Sequence, residues 1–325
     1  PDLGGVVTWL PRDYGEDTKH PYISNHCLGA AVLQQLSFLN PLSTDAVVNV
    51  ATVPQRSPFR YPGGKTWLVP HVRRWLAAQS SVPTEFVEPF VGGGIVSLTV
   101  AFECLVPQVT MVELDQAVAA VWQTLLGDAG GWLAERIATF ELTADAVDRV
   151  LAEPATTVPE LAFQTILKNW VNHGGILAQG AGRIRHGEKG KGLTSRWYPQ
   201  TLKRRMLDII AIRERIRFIA GDGLALLGDY ADRPDVVCFI DPPYTAGGKR
   251  AGRRLYTYND LDHEALFRRA SGLAGDFLMT YDNASEIRAM ARDYNFDTQP
   301  IAMKNTHHAA MTELLIGRCL DWIRR

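Results

Sequence analysis

The sequence predicts an α/β fold: a mostly parallel sheet with helices on both faces and an antiparallel hairpin at its C-terminal end. Three observations carry this. From Pro58 onward, short strand-like apolar runs alternate with helical stretches, the pattern of a sheet built from βα units. Acids and glycines stand just after those runs, at Glu88–Gly94, Glu113, Asp222 and Asp241, where an open parallel sheet binds its ligands. The last two runs are joined by only about ten residues, too few for a helical crossover, so they pair antiparallel.

In chain order, strands are expected at 85–91, 109–113, 217–220, 236–240, 277–281, 296–303 and 313–317. Helices are expected at 67–79, 94–102, 116–126, 261–273 and 284–294. Residues 127–215 interrupt this alternation. Helices are expected there at 161–170 and 202–216, the second because Met206, Ile209, Ile210, Arg213 and Ile216 set an apolar stripe beside a charged one. Between them, residues 174–192 are rich in Gly, Arg and Lys and read as a loop. The organisation expected is therefore an extension over 1–55, a catalytic unit from 56–126 and 216–325, and a mostly helical insertion over 127–215.

The chain has 325 residues, 46% hydrophobic and 21% charged. That is ordinary globular usage and excludes a disordered tail, a collagen-like chain and a disulfide-dense mini-scaffold. The longest apolar stretches reach about eight residues, against the ~20 of a membrane span, so no membrane association is expected. No apolar signal region precedes residue 30, and a cytoplasmic protein is expected. Cys27, Cys104, Cys238 and Cys319 are isolated, so neither a disulfide framework nor a metal site is expected.

Net charge is −1, but its distribution is uneven. Residues 183–217 hold eleven Lys or Arg against three acids, and residues 245–256 add Lys249, Arg250, Arg253 and Arg254 with no acid. A neutral chain with a concentrated basic sector can bind a polyanion through that sector. Arg183, Arg185, Lys189, Lys191 and Arg196 lie in the glycine-rich loop of the insertion and are expected, with the second group, to border a nucleic-acid channel. Trp170 and Trp197 suit core packing and base stacking equally.

Four short elements carry chemistry. Glu88-Pro89-Phe90-Val91-Gly92-Gly93-Gly94 ends a strand and opens a helix, letting backbone N–H groups approach a ligand. Glu113 ends the next strand, 19 residues after Gly94, a spacing that suits a carboxylate bonding ribose hydroxyls. Asp222 follows a third strand and suits an adenine amino group. Asp241-Pro242-Pro243-Tyr244 follows the apolar strand Val236–Ile240. Its acid can accept from an exocyclic amine, its prolines stiffen the turn, and its tyrosine offers a stacking face.

As a set, these residues resemble the Dam-type (class alpha) DNA adenine N6-methyltransferases, which depend on S-adenosylmethionine. The resemblance runs from about residue 58 to 318, apart from the insertion. Tyr61-Pro62-Gly63-Gly64-Lys65 is similar to the family's aromatic-x-Gly-Gly-Lys element, Glu88–Gly94 to its Glu-Pro-Phe-x-Gly-x-Gly element, and Asp241–Tyr244 to its catalytic Asp-Pro-Pro-Tyr. Tyr61 and Glu113 stand where the family more often has Trp and Asp. Members that recognise GATC carry an Arg-Tyr-Asn…Phe-Asn…Gly pattern in the insertion. Here stand Lys168-Asn169-Trp170-Val171-Asn172-His173-Gly174-Gly175 and Ser195-Arg196-Trp197-Tyr198-Pro199, so GATC recognition is not read from this chain.

The resemblance implies a class I methyltransferase (Rossmann-like) fold with a helical DNA-recognition insertion. It implies double-stranded DNA as partner and leaves a cognate restriction endonuclease open. Cofactor contacts are implied for Tyr61, Gly63, Gly64, Lys65, Glu88, Pro89, Phe90, Gly92, Gly94, Glu113, Asp222 and Asp241. Catalysis is implied for Asp241, Pro242, Pro243 and Tyr244, acting on a flipped-out adenine. An RNA adenine methyltransferase and a catalytically silent DNA-binding module are the two other readings.

Overall fold

A parallel strand without a polar position belongs in the middle of a sheet covered on both faces. Val236–Ile240 is apolar at all five positions and buried at each. In the computed structural model it is β4, fourth in a seven-stranded sheet ordered β3-β2-β1-β4-β5-β7-β6. The model describes residue 50 and residues 53–60, 63–178, 180–187, 190–244, 260–304 and 310–324. Cys27, most of the expected 1–55 extension, Tyr61, Lys189, Lys249, Arg250, Arg253 and Arg254 lie outside the described residues.

The strands are β1 (Glu85–Glu88), β2 (Gln108–Glu113), β3 (Ile216–Ala220), β4, β5 (Phe277–Asp282), β6 (Asp297–Lys304) and β7 (Ala310–Gly317). The first five run parallel to one another, while β7 pairs antiparallel with β5 on one side and β6 on the other. That order, with the reversed strand slotted between the fifth and the last, is the class I methyltransferase sheet. The expected hairpin at the sheet's end is therefore present.

Side chains alternate across each strand, so each strand feeds two cores. Phe86, Val237, Phe239, Leu278 and Leu315 point into one apolar cluster. Val87, Cys238, Ile240, Met279 and Leu314 point into the other. The first face is covered by α1 (Val69–Ala77), α2 (Ile95–Phe102) and α3 (Gln116–Leu126). The second is covered by α8 (His263–Ser271) and α9 (Ser285–Asp293), through Leu266, Phe267, Ala270, Ile287 and Ala291.

Between α3 and β3 run α4 (Gly130–Thr139), α5 (Ala144–Ala152), α6 (Val158–Val171) and α7 (Pro199–Ala211). Thr157 and Glu160 close a capping box on α6, satisfying donors its first turn leaves free. Leu133, Ile166 and Met206 are fully buried in the same cluster as Phe86, Leu98 and Trp122. These helices thus share the core of the sheet instead of enclosing one of their own.

Two expected boundaries are corrected. The helix expected over 202–216 ends at Ala211, and Ile216 opens β3, paired with Val109. Ile216 lies in phase with the helical stripe, but a β-branched side chain also suits a strand, and pairing with β2 wins. The strand expected over 85–91 stops at Glu88. Pro89 has no N–H to give to the ladder, and the chain then turns through left-handed glycines at Gly92 (φ 46°) and Gly94 (φ 64°).

Candidate active site

The carboxyl ends of β2, β1 and β4 lie side by side, because β1 is hydrogen-bonded to both neighbours. The acids that end these strands, Glu113, Glu88 and Asp241, therefore stand in a row along one edge of the sheet.

Asp241 is the most elaborately held of them. Its Oδ1 accepts from the Thr280 hydroxyl at 2.7 Å and from the Tyr244 hydroxyl at 2.9 Å, and lies 3.0 Å from Lys65 Nζ. Its Oδ2 has no partner among the described residues. The backbone carbonyl of Pro242, the next residue, also has none there. Two acceptors thus lie one residue apart at the exit of a rigid strand.

Lys65 is buried, an unusual place for an ammonium group without an anion beside it. It bonds the Gly63 carbonyl at 3.0 Å, pairs with Asp241, and lies 3.6 Å from Glu313 Oε2. It also stands 4.9 Å from the centre of the Tyr244 ring, a cation–π distance. Gly63, at φ 74°, supplies the turn that aims Lys65 inward. The Tyr244 ring lies 5.7 Å from Tyr281 with 24° between planes, and its hydroxyl reaches Glu313 Oε2 at 3.1 Å. Burial, and next the charge of Asp241, hold the Tyr244 phenol far above its usual range, so it is neutral.

The glycine turn forms a second group. Gly92 N–H donates to Glu113 Oε2 at 2.8 Å, and Asp115 N–H to Glu113 Oε1 at 2.9 Å. Burial pushes the Glu113 carboxyl up to about 7, against the pull of those two N–H groups. A Cβ on Gly94 would lie 2.9 Å from Trp122 Cζ2, and Trp122 donates its indole N–H to the Gly92 carbonyl at 3.0 Å. The turn is thus pressed against a buried indole. A Cβ on Gly223 would lie 1.9 Å from the Pro89 carbonyl, so the exits of β1 and β3 touch there. Asp222 is exposed just before it, capping a short helix through Leu224 N–H at 2.9 Å.

Glu88 occupies a different position from the one expected of a ligand contact. It is buried, and its carboxylate accepts from the N–H of Ser97 at 3.0 Å and from the Ser97 hydroxyl. It satisfies a free donor in the first turn of α2 and so fixes the helix beneath the glycine turn. Burial pushes it up to about 8. Pro89 is buried beside it, and Phe90 packs against the second core cluster.

The insertion grips the chain just ahead of Lys65. Asn169 accepts from Arg60 N–H at 2.8 Å and donates to the carbonyls of Arg60 at 3.1 Å and Gly175 at 2.6 Å. Trp170 donates its indole N–H to the Pro58 carbonyl at 2.9 Å and is buried, so it packs as core. Arg183 is paired with Asp148 at 2.5 Å, while Arg185, Lys191 and Arg196 are exposed.

The structure thus joins Lys65, Asp241 and Tyr244 in one cluster and Gly92 with Glu113 in a second, and leaves Glu88 beneath both. Sequence reasoning missed Thr280, Tyr281 and Glu313. The visible signal for Glu313 was a lone acid entering the apolar run Leu314-Leu315-Ile316.

Residues 61–145 match the family model of D12 class N6 adenine-specific DNA methyltransferases. That stretch of the chain is similar to the D12-class methyltransferases. That is the family type the sequence motifs resemble, and with the class I sheet it implies S-adenosylmethionine as the methyl donor. The match takes in the Gly63–Lys65 element, the glycine turn and Glu113. No curated protein matches the chain. Among solved structures, the Pyrococcus horikoshii protein PH1948, provisionally described as an RNA methyltransferase, is 11% identical. The alignment covers 89% of this chain and 96% of that one, with a TM-score of 0.37. A likeness at that level bears on neither fold nor substrate. Among the described residues, no helix is long and apolar enough to cross a membrane.

The site fits the donor. A carboxylate at the end of β2 can accept from ribose hydroxyls, and a turn of glycines leaves backbone where a side chain would obstruct a ligand.

Proposed function

We propose that this methyltransferase transfers the methyl group of S-adenosylmethionine directly to the N6 amine of adenine within a specific double-stranded DNA sequence. The observation that carries the reading is the division of labour at Asp241. Three donors hold Oδ1, while Oδ2 and the Pro242 carbonyl stay open as adjacent acceptors.

An adenine amine is a weak nucleophile because its lone pair is delocalised into the ring. Oδ2 of Asp241 and the Pro242 carbonyl accept its two hydrogens and return electron density to the nitrogen. When bound, S-adenosylmethionine would supply an electrophilic methyl carbon, its S–CH3 bond breaking to leave a neutral thioether. The nitrogen gains the methyl and sheds one proton, for which Asp241 is the nearest base. Lys65, Thr280 and Tyr244 fix the carboxylate so that in-line geometry requires little reorganisation. Glu113, the Gly92–Gly94 turn and Asp222 hold the cofactor, and Gly63–Lys65 closes the site beside it.

A base stacked in a duplex cannot reach the bottom of this cluster, so the adenine is flipped out and packed beside the Tyr244 ring. Exposed Arg185, Lys191 and Arg196 of the insertion, with the basic segment 249–254, are the proposed phosphate contacts. The test is incubation with methyl-labelled cofactor and separate DNA and RNA pools. The reading expects N6-methyladenine in duplex DNA. Label confined to RNA would replace it with the RNA reading, and cofactor binding without transfer would mark a silent module.

A further inference from the structure

Glu313 has no part in the chemistry above, yet it is placed at its centre. It lies on β7 and is 9% exposed. Its Oε2 is 3.1 Å from the Tyr244 hydroxyl, which is itself 2.9 Å from Asp241 Oδ1. A neutral phenol has one proton to donate, and ionised carboxylates only accept. One proton cannot satisfy both contacts. If both acids were ionised, one carboxylate oxygen would face the phenol lone pairs at hydrogen-bond distance. Both contacts are satisfied when one carboxyl is protonated and donates to the phenol while the phenol donates to the other.

The surroundings decide which acid that is. Asp241 Oδ1 also receives Thr280 at 2.7 Å and Lys65 at 3.0 Å, both donors that favour an anion. Among the described residues Glu313 has only Tyr244 and a Lys65 contact at 3.6 Å, longer than an ordinary hydrogen bond. On β5 its cross-strand partner is Asp282, another acid, and on β6 it is Ile301, which is apolar. From the loop before α1 comes Lys65, from the exit of β4 come Asp241 and Tyr244, and Glu88 at the end of β1 interacts electrostatically with Asp241 and Lys65.

We propose that Glu313 carries a proton in the working enzyme and, by donating to Tyr244, positions the Tyr244 hydroxyl on Asp241 and leaves the Lys65 charge to Asp241. Glu313 is a positioning residue, and the inference rests on the reading of Asp241 as the catalytic acceptor. Burial, the largest influence, raises its pKa together with the Asp241 charge, against Lys65 and Tyr244, which lower it.

The consequence is a pH dependence of definite sign. As pH rises through the raised pKa of Glu313, the proton leaves, Tyr244 can no longer satisfy both acids, and a second anion competes for Lys65. Activity falls on the alkaline side. Glu313→Ala removes the donor and is expected to lower kcat about tenfold, the effect of one buried hydrogen bond, with KM for the methyl donor little changed. Glu313→Gln keeps an N–H donor and cannot ionise, so it should recover most of the kcat lost in Glu313→Ala and abolish the alkaline fall. Equal impairment of the two variants, or an unaltered alkaline limb in Glu313→Gln, would overturn the proposal.

A second readout needs no turnover. In protein carrying ¹³C-carboxyl glutamate, the resonance absent from Glu313→Gln should titrate above the ordinary glutamate range near ~4.3. Titration within that range would overturn the proposal even if the methyl acceptor were not DNA. Conversely, a protein that methylates no DNA yet shows the raised titration would refute the function and leave the Glu313 assignment standing.

Discussion

Lys65 Nζ lies 3.0 Å from Asp241 Oδ1, and this buried pair ties the glycine-lysine loop at the start of the catalytic unit to the acid that ends its central strand. Neither motif is a site alone. The loop brings a cation inward past Gly63, and the strand delivers an anion to meet it. Breaking a buried pair from one side leaves the other charge uncompensated.

Lys65→Met therefore tests the pair. It leaves Asp241 and Glu313 close together with no cation between them. The expected loss is ~3–5 kcal/mol of stability, the range for one partner of a buried pair. Turnover should fall as well, because Asp241 loses a donor that fixes it. Urea denaturation and steady-state kinetics check the two effects. An unchanged unfolding midpoint would show that Lys65 is not buried beside Asp241.

Cofactor affinity should depend on pH through Glu113. Its carboxyl is pushed up to about 7, so below that pH it is increasingly protonated and loses acceptor capacity for ribose hydroxyls. Affinity for S-adenosylmethionine should fall as pH drops through about 7 and level off above it. Glu113→Gln should bind more weakly by ~1–3 kcal/mol at alkaline pH and show no such step. Calorimetry across pH 6–9 measures both. A step that persists in the variant would assign it to another group.

Gly94→Ala should destabilise the protein. Gly94 sits at φ 64°, a conformation that costs an alanine ~1–2 kcal/mol, and the new methyl would meet Trp122 at 2.9 Å. An indole that is fully buried has little room to yield. A total loss of ~2–4 kcal/mol is expected, with a larger drop in cofactor affinity than in DNA affinity. Thermal unfolding and separate binding titrations check this, and wild-type stability would refute the close packing of the turn.

Much of the fold was legible in the sequence because parallel strands announce themselves. Val236–Ile240 has no polar residue, and only a strand covered on both faces tolerates that. Gln116–Leu126 was equally plain. The places where local pattern misled are those where a residue suits two states, as Ile216 does. For the site, Asp241, Lys65 and Tyr244 were legible as motifs, but not that they touch. Thr280 and Glu313 were not, because a polar residue inside an apolar strand gains meaning only once the sheet order places β5 and β7 beside β4. Glu88 was read as a ligand contact from its motif. Its true partner, Ser97, lies nine residues on, a separation that only the strand-turn-helix geometry closes.

The exposed basic side chains of the insertion predict a salt effect. Arg185, Lys191 and Arg196 changed together to Ala should weaken binding to all DNA sequences and flatten the salt dependence by roughly one unit of slope per lost phosphate contact. Fluorescence anisotropy across a salt series measures it. Undiminished affinity and slope would place the DNA elsewhere on the surface.

The most direct test of the account is methyl transfer to duplex DNA by the wild-type chain and by Asp241→Ala, with the product base identified by mass spectrometry and folding checked by circular dichroism. The account predicts N6-methyladenine with the wild type and a rate lower by on the order of a hundredfold or more in a folded Asp241→Ala. Near wild-type transfer by that variant, or methylation at an atom other than the adenine N6, would contradict it.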